Sequence, residues 1–538
     1  MNMRKKYHAI FCKRSNTERK FNAQKKIFFY LLLIIGLLSC EKATDPININ
    51  PIPTRYDLRE YNLITPVRNQ NGVKPDGASD MGSTVGLCWA FSSLASLESN
   101  MLKQGITSNP QSPDASLSPW YLGNYIGFNI PCYEYNPNTI PDLLPLTAFG
   151  YYNPSCGWGG GASSATGHWT ANYLIAGKEI PTWNDCPMPT DNMTAHLTLI
   201  PPVTQIKQKY NIEQMLMFFA DDFASINEYR NKIKSYIKEH GAIQSFIHLE
   251  AIDFPGMTSQ IVNGVEYLSS RFMDKVNYNM FTYETNNFGT GFFTHAIAII
   301  GWDDNRYINV DGHTTTGAWL IKDSSGDKSY DNGFFWVAYD DPAISAFALG
   351  LIACSESNYE HQSKYQTHPG ILSKLLTGTQ CNDDNCIDFG MHSYLFNGLP
   401  TGTTWGVAEF PLTNKEDLAA VGIFCGNRNQ KVSVHIYKDN LNSTPLHTQD
   451  FTIDEQGYHL LKLNHDITFL SNETMIIALG FENESLHTRL PLCYVQNDEH
   501  NFIYPTFFGT LEEGSFQLTP YSTINHNSAF FLQAIVKN

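Results

Sequence analysis

Cys88 stands at the head of the run GLCWAFSSLASLE, where a thiol is chemically useful if the run is a helix. Phe91, Leu94, Ala95, Met101 and Leu102 recur at helical spacing, which predicts a helix with its apolar face packed into a core. The unpaired N–H groups and the dipole at a helix N-terminus favour a thiolate over a thiol. A thiolate nucleophile then needs a base, a group to orient that base, and donors for the oxyanion. His295 opens the apolar run Ala296 to Ile300 within FFTHAIAIIGWDDN and is the candidate base. Asp323 follows the run Trp319 to Ile321, where it is expected to hold the second imidazole nitrogen. Gln70 closes TPVRNQ, and its amide together with the Cys88 N–H is the candidate oxyanion pair. Alone, each residue has a plainer reading: a buried structural cysteine, a core histidine. The ordered set is what points to acyl transfer.

These four segments, in this order, resemble the papain family of cysteine peptidases, whose pattern is a glutamine, a Cys-Trp-Ala-Phe helix start, a His-Ala strand and an Asn-Ser-Trp-Gly segment. RYDLRE before TPVRNQ resembles the family's mature N-terminus, and LSPWYL at Leu117 to Leu122 its Leu-Ser-Glu-Gln segment. Gly159, Gly160 and Gly161 of CGWGGG resemble the strand on which the family pairs substrate backbone. GAIQSFIH, after the amphipathic stretch Ile226 to Glu239, resembles its Gly-Pro-Val-Ser-Val strand. The resemblance spans residues 55–352. It implies an α+β fold with a two-lobed catalytic domain, a helical lobe and a β-barrel-like lobe. It also implies hydrolysis of protein or peptide substrates with no cofactor and no metal.

The chain departs from the family at three places. The family's asparagine is Asp323 here and its shielding tryptophan is Ser325, so the expected triad is Cys-His-Asp. A carboxylate beside His295 favours the imidazolium, and Ser325 is expected to let water nearer. The stretch from Gln70 to Cys88 is longer than the family's, and its Gly, Pro, Asp and Ser make it a loop. No inhibitory propeptide is evident after the leader, so zymogen cleavage is not expected.

That leader, residues 1–40, reads as a lipoprotein signal in preference to ordinary secretion with cleavage nearby or an uncleaved anchor: Lys25 and Lys26, the apolar stretch Ile27 to Leu38, then Ser39 and Cys40 in LLSC, which resembles the bacterial lipobox. Lipidation at Cys40 would anchor the chain to a membrane of the bacterial cell envelope, with the polar residues 41–54 as a tether. The excess of 52 Asp and Glu over 36 Lys and Arg argues against nucleic acid as a partner. Apart from Cys12, Cys40 and Cys88, an even set of cysteines remains: Cys132, Cys156, Cys186, Cys354, Cys381, Cys386, Cys425 and Cys493. Pairing among them and free buried thiols are both open.

From residue 353 to 538 short strand-like runs alternate with polar turns: Ala419 to Phe424, Val432, Val434 and Ile436, Leu460, Leu461 and Leu463, and Met475 to Phe481. They predict an antiparallel β-sandwich, and their order resembles the lectin-like domain fused behind bacterial papain-type peptidases. A glycan would be held by Trp405 or Tyr458 as stacking surfaces; the plainer role is packing against the peptidase. Asp383, Asp384 and Asp388 in CNDDNCID read as a solvated acidic loop in preference to a calcium cage. His168, His248 and His313 read as structural. Two other functions stay open on the sequence alone. One is a Cys-His-Asp amidase or transglutaminase-like acyltransferase; the other is a catalytically impaired surface binding or adhesion protein.

Overall fold

The computed structural model describes residues 52–70, 87–125, 169–175, 179–189, 209–247, 260–262, 265–267, 273–274, 277–281, 295–310, 312–356, 359–360, 365, 391–395, 402–483, 489–494, 506–512, 515–520 and 528–537. The leader with Cys40, most of the loop before Cys88, Gly159 to Gly161, His168, His248, Cys381, Cys386 and the acidic cluster at Asp383 lie outside the described residues. Thr54–Asn538 falls within one compact unit. Among the described residues no helix is long and apolar enough to cross a membrane.

The first half is helix-on-sheet. Helix α1, Cys88–Gln104, ends at Gly105 in the left-handed conformation, which glycine adopts without steric cost. Short helices α2, Pro119–Tyr125, and α3, Trp169–Ile175, lie against it. Helix α4, Ile226–His240, starts at an N-cap in which Ser225 accepts from the Glu228 N–H. The strands are β1 Arg55–Asp57, β2 Ile212–Phe219, β3 Ile243–Ile247, β4 His295–Val310, β5 His313–Lys322, β6 Phe334–Ala338 and β7 Phe347–Ala353. Their order in the sheet is β2, β7, β3, β4, β5, β6, with β1 also pairing with β4.

Helix α1 is buried on nearly every side, including serines and an asparagine. Such residues are tolerated because they are hydrogen-bonded, Ser92 and Ser93 to carbonyls of their own helix and others across the interface. Ser96 donates to the Ala242 carbonyl at 2.7 Å, Asn100 to the His240 carbonyl at 2.9 Å, and Gln244 reaches back to the Trp89 carbonyl at 3.1 Å. These bonds fix the helix in rotation and depth against β3 and β7, and so fix its first residue, Cys88.

The second half is a sandwich. Its strands are β8 Gly402–Pro411, β9 Glu416–Cys425, β10 Gln430–Lys438, β11 His447–Ile453, β12 Gly457–Phe469, β13 Thr474–Asn483, β14 Thr506–Glu512, β15 Ser515–Pro520 and β16 Gln533–Lys537. One sheet has the order β11, β10, β13, β8, β14, β15; the other has β16, β9, β12. Alternating residues such as Val432, Val434 and Ile436 meet Val421, Ile423 and Leu461 in a shared core, as strand periodicity requires.

The second of these sheets does not stop at the sandwich. Strand β12 pairs antiparallel with β2, matching Gly457 to Leu216 and Tyr458 to Met215, so one sheet runs from the sandwich into the first half. Gly457 has φ +135°, and a Cβ there would lie 1.8 Å from the Met215 carbonyl oxygen; only glycine lets the backbones approach so closely.

The two aromatic residues expected to stack on a sugar are not surface residues. Trp405 is 5% exposed and Tyr458 3%. Trp405 is covered by Phe507 and Phe516 of the β14–β15 hairpin, and Tyr458 donates to the Gln533 side chain at 2.9 Å inside the core. Cys186, Cys354 and Cys425 carry free thiols, and burial raises each of them, Cys186 and Cys354 to about 11.

Candidate active site

Cys88, His295 and Asp323 come from three elements that meet at one place, with the Gln70 segment beside the third. The thiol begins helix α1, whose N-terminus has no side-chain cap. His295 is the first residue of β4, opposite Ile247 of β3. Asp323 follows the last residue of β5. The segment carrying Gln70 lies beside the Asp323 loop: Asn69 bridges to Ser325, the Gln70 N–H donates to the Ser324 carbonyl at 2.8 Å, and the Gly326 N–H donates to the Arg68 carbonyl at 3.1 Å.

His295 Nε2 lies 2.6 Å from Asp323 Oδ1, with the two side chains 8% and 0% exposed. Cys88 lies close enough to the imidazole to favour its charged form. Burial opposes a charge on His295, but the Asp323 carboxylate and the Cys88 contact outweigh it, and its pKa is pushed up to about 10. Burial works against a charged Asp323 as well; His295 and the Ser325 and Ser324 contacts prevail and hold the carboxyl below the usual range. The pair is therefore an imidazolium beside a carboxylate at neutral pH.

Beside Ser325 the His295–Asp323 contact is buried, the two side chains being 8% and 0% exposed. The Ser325 N–H donates to Asp323 Oδ2 at 3.2 Å, and the pairing of Asn69 with Ser325 closes the segment over the loop. Gly326, at φ +89°, makes this possible, since a Cβ there would sit 3.1 Å from Asn69 Cβ. Backbone pairing covers the contact without an indole. Gln70 is 7% exposed, and its Oε1 has no hydrogen-bond partner among the described residues. His313, away from the site, stacks on Phe281 and meets Asp340.

A polar cluster behind the site escaped the sequence reading. Lys322 donates to Thr65 Oγ1 at 2.9 Å, Thr65 donates to Glu98 Oε2 at 2.5 Å, and Glu98 Oε1 accepts the Leu117 N–H at 2.7 Å. A cavity with room for about one water lies against Lys322, Glu98, Leu117, Asp323, Ser324 and Arg68. Arg68 lies 4.5 Å over the Trp183 ring. The available signal was a charge inside an apolar run, Glu98 in LASLESNM and Lys322 in AWLIKDSS; such charges are seldom buried without a partner.

No protein-family model matches the chain, and no curated protein matches it by sequence. Solved structures do match. The clostridial cysteine protease Cwp84 after propeptide cleavage aligns at TM-score 0.56 and 16% identity, covering 90% of this chain and 99% of that one. The cysteine protease and lectin-like domains of Cwp84, a surface layer associated protein of Clostridium difficile, align at TM-score 0.58 and 16% identity, covering 90% and 89%. The bromelain protease of Ananas comosus, at TM-score 0.33 and 15% identity over 56% of this chain and 98% of that one, is too distant in shape to carry weight. The chain thus has an α+β fold in which a papain-like two-lobed part is followed by a lectin-like antiparallel β-sandwich.

Proposed function

We propose that this chain is an exported thiol peptidase that acylates Cys88. The observation that carries the reading is the buried His295, held by Asp323 at 2.6 Å beside a thiol at an uncapped helix N-terminus. The Cys88 thiolate attacks the scissile carbonyl. Gln70 and the Cys88 N–H receive the oxyanion, and the His295 imidazolium gives its proton to the leaving amine. Two of the influences that hold the proton on His295 come from Cys88. Acylation turns the sulfur into a neutral thioester and removes them, so the imidazole becomes a better base for the water that hydrolyses the acyl-enzyme.

In this reading residues 1–40 are the export signal, Cys40 is the lipidated residue, residues 41–54 are the tether, 55–352 the peptidase and 353–538 the sandwich. Gly159, Gly160 and Gly161 pair substrate backbone. The sandwich acts by packing, since its candidate stacking aromatics are buried.

The test is labelling of the leaderless protein with an epoxide-type thiol-peptidase probe, followed by mass mapping. Stoichiometric labelling at Cys88, abolished by His295→Ala, is the expected result. Absence of labelling at every pH in folded, reduced protein would leave a binding protein on a peptidase fold. Gln70→Ala is expected to keep the labelling, because the thiolate survives, yet to lower kcat by about 10²–10³, the usual effect of removing one oxyanion donor. An unchanged kcat would remove Gln70 from the oxyanion site.

A further inference from the structure

The residues behind the candidate triad form one buried connection between the three segments that carry it. Lys322 ends β5, opposite Ala298 of β4 and Phe334 of β6, and is covalently next to Asp323. Its side chain turns away from His295 to reach Thr65, five residues before Gln70 on the same extended segment. Thr65 spends its single proton on Glu98, which lies on the helix that begins with Cys88. Thr65 thus accepts from Lys322 and donates to Glu98, the only polarity in which this hydroxyl satisfies an ammonium on one side and a carboxylate on the other. Glu98 in turn accepts the Leu117 N–H.

We propose that Lys322 is a positioning residue for the site: its ammonium, linked through Thr65 to Glu98, holds the Asp323 loop, the Gln70 segment and the Cys88 helix in mutual register. This deepens the peptidase reading and rests on it for its catalytic consequence, though the register itself exists whatever the reaction. The charged groups facing Lys322 are Glu98 from the helix and Arg68 from the N-terminal segment, with the Asp323–His295 pair adjoining on its own strand end. Burial drives Lys322 down to about 8, against the support of Glu98 and with Arg68 pushing the same way as burial. The ammonium is therefore lost between neutral and mildly alkaline pH. Glu98, whose carboxyl burial raises, then loses its counter-charge, and the register loosens before His295 gives up its proton near 10.

The experiment follows position and activity separately. In full-length protein labelled with 15N-glutamine, the Gln70 backbone amide reports the bond to the Ser324 carbonyl. Its shift is expected to titrate with a midpoint near 8 in the wild type and to be flat to about pH 10 in Lys322→Arg, whose guanidinium stays charged. Casein hydrolysis, run alongside, is expected to lose kcat with the same midpoint at nearly constant KM, and Lys322→Arg is expected to carry that limb upward toward the His295 value. Lys322→Met is expected to lower kcat at pH 7 more than tenfold; should it fail to fold, Lys322→Arg decides. A Gln70 amide without an inflection between pH 7 and 9.5, or an inflection that persists in Lys322→Arg, overturns the proposal. If the amide behaves as expected and wild-type protein cleaves nothing, the positioning role stands and the peptidase reading falls.

Discussion

Replacing Asp323 by alanine is expected to lower kcat/KM by about 10³–10⁴, whereas Asp323→Asn stays within about tenfold of the wild type. In Ser-His-Asp enzymes even an asparagine in place of the acid costs about 10⁴ when its amide nitrogen faces the ring and leaves the imidazole in the wrong tautomer, so the mild effect expected of Asp323→Asn requires its oxygen to face His295. Here the alanine variant also leaves an imidazolium without its counter-ion in a nearly water-free site. Breaking such a pair destabilises a protein by about 3–5 kcal/mol. Asparagine still offers an oxygen to the His295 Nε2–H and preserves the tautomer that points Nδ1 at Cys88. What it removes is the charge, the strongest influence raising His295. The His295 titration, read from the imidazole 15N shifts, is therefore expected to move down from about 10. The linkage follows in sign. A histidine whose folded pKa exceeds its unfolded value of about 6.5 contributes stability that is complete below 6.5 and lost as pH rises through about 10. Asp323, held low, contributes above its unfolded value of about 3.9 and loses that contribution as pH falls through its folded value. The stability gap between wild type and Asp323→Asn, measured by urea unfolding, should therefore be widest at pH 5–6.5 and close above pH 10. A gap that grows with pH would mean that the Asp323 charge is not what stabilises the imidazolium.

The helix at Cys88, the strand opened by His295 and the alternating runs of the second half were legible because their signals are local. Apolar residues every third or fourth position mark the helix, and every second position marks Val432, Val434 and Ile436. The fold class of the first half was legible through the family resemblance that those segments carry. What was not legible depends on meetings distant in the chain. Nothing in IEQMLMFF announces that Ile212–Phe219 lies between β7 and a strand beginning at Gly457, because a strand carries no mark of its partner. Trp405 and Tyr458 read as surface aromatics until the hairpin and the core that cover them are in place. Ser325 reads as a gap where the family has an indole, and only the pairing of Asn69 with Ser325 shows what fills it. At the site itself, types and order marked Cys88, His295, Asp323 and Gln70, while Thr65, Glu98 and Lys322 were hidden in runs that read as core.

The most drastic outcome is expected from separating the two halves: a chain of residues 54–356 should not fold. Strand β2 has β7 on one edge and β12 on the other, so truncation would expose a long edge rich in Met, Leu and Phe, a template for aggregation. The loss reaches the nucleophile helix, because Phe424, Tyr458 and Phe531 belong to the same core cluster as Cys88, Trp89, Leu94 and Leu97. Removing one such aromatic from a core costs about 3–5 kcal/mol, and losing all three together approaches the entire stability of a typical protein, about 5–15 kcal/mol. The boundary is also stitched by Lys232 to Glu455 at 2.6 Å, Lys462 to Glu213 at 2.9 Å, and Arg428 to the Asp222 carbonyl at 3.2 Å. A milder version keeps the whole chain and changes one residue. Gly457→Val places carbon against the Met215 carbonyl, at a φ that L-residues rarely adopt, so β12 must leave β2. Its expected signature is a Tm lower by at least about 5 °C, with epoxide labelling of Cys88 falling in parallel, although Gly457 is no part of the candidate triad. Circular dichroism and labelling of both variants check this. A 54–356 fragment with native-like spectra and full labelling at Cys88 would show that the sandwich only rides on the peptidase. The expected failure would show that the sheet has made the C-terminal half part of the wall on which the thiol is mounted.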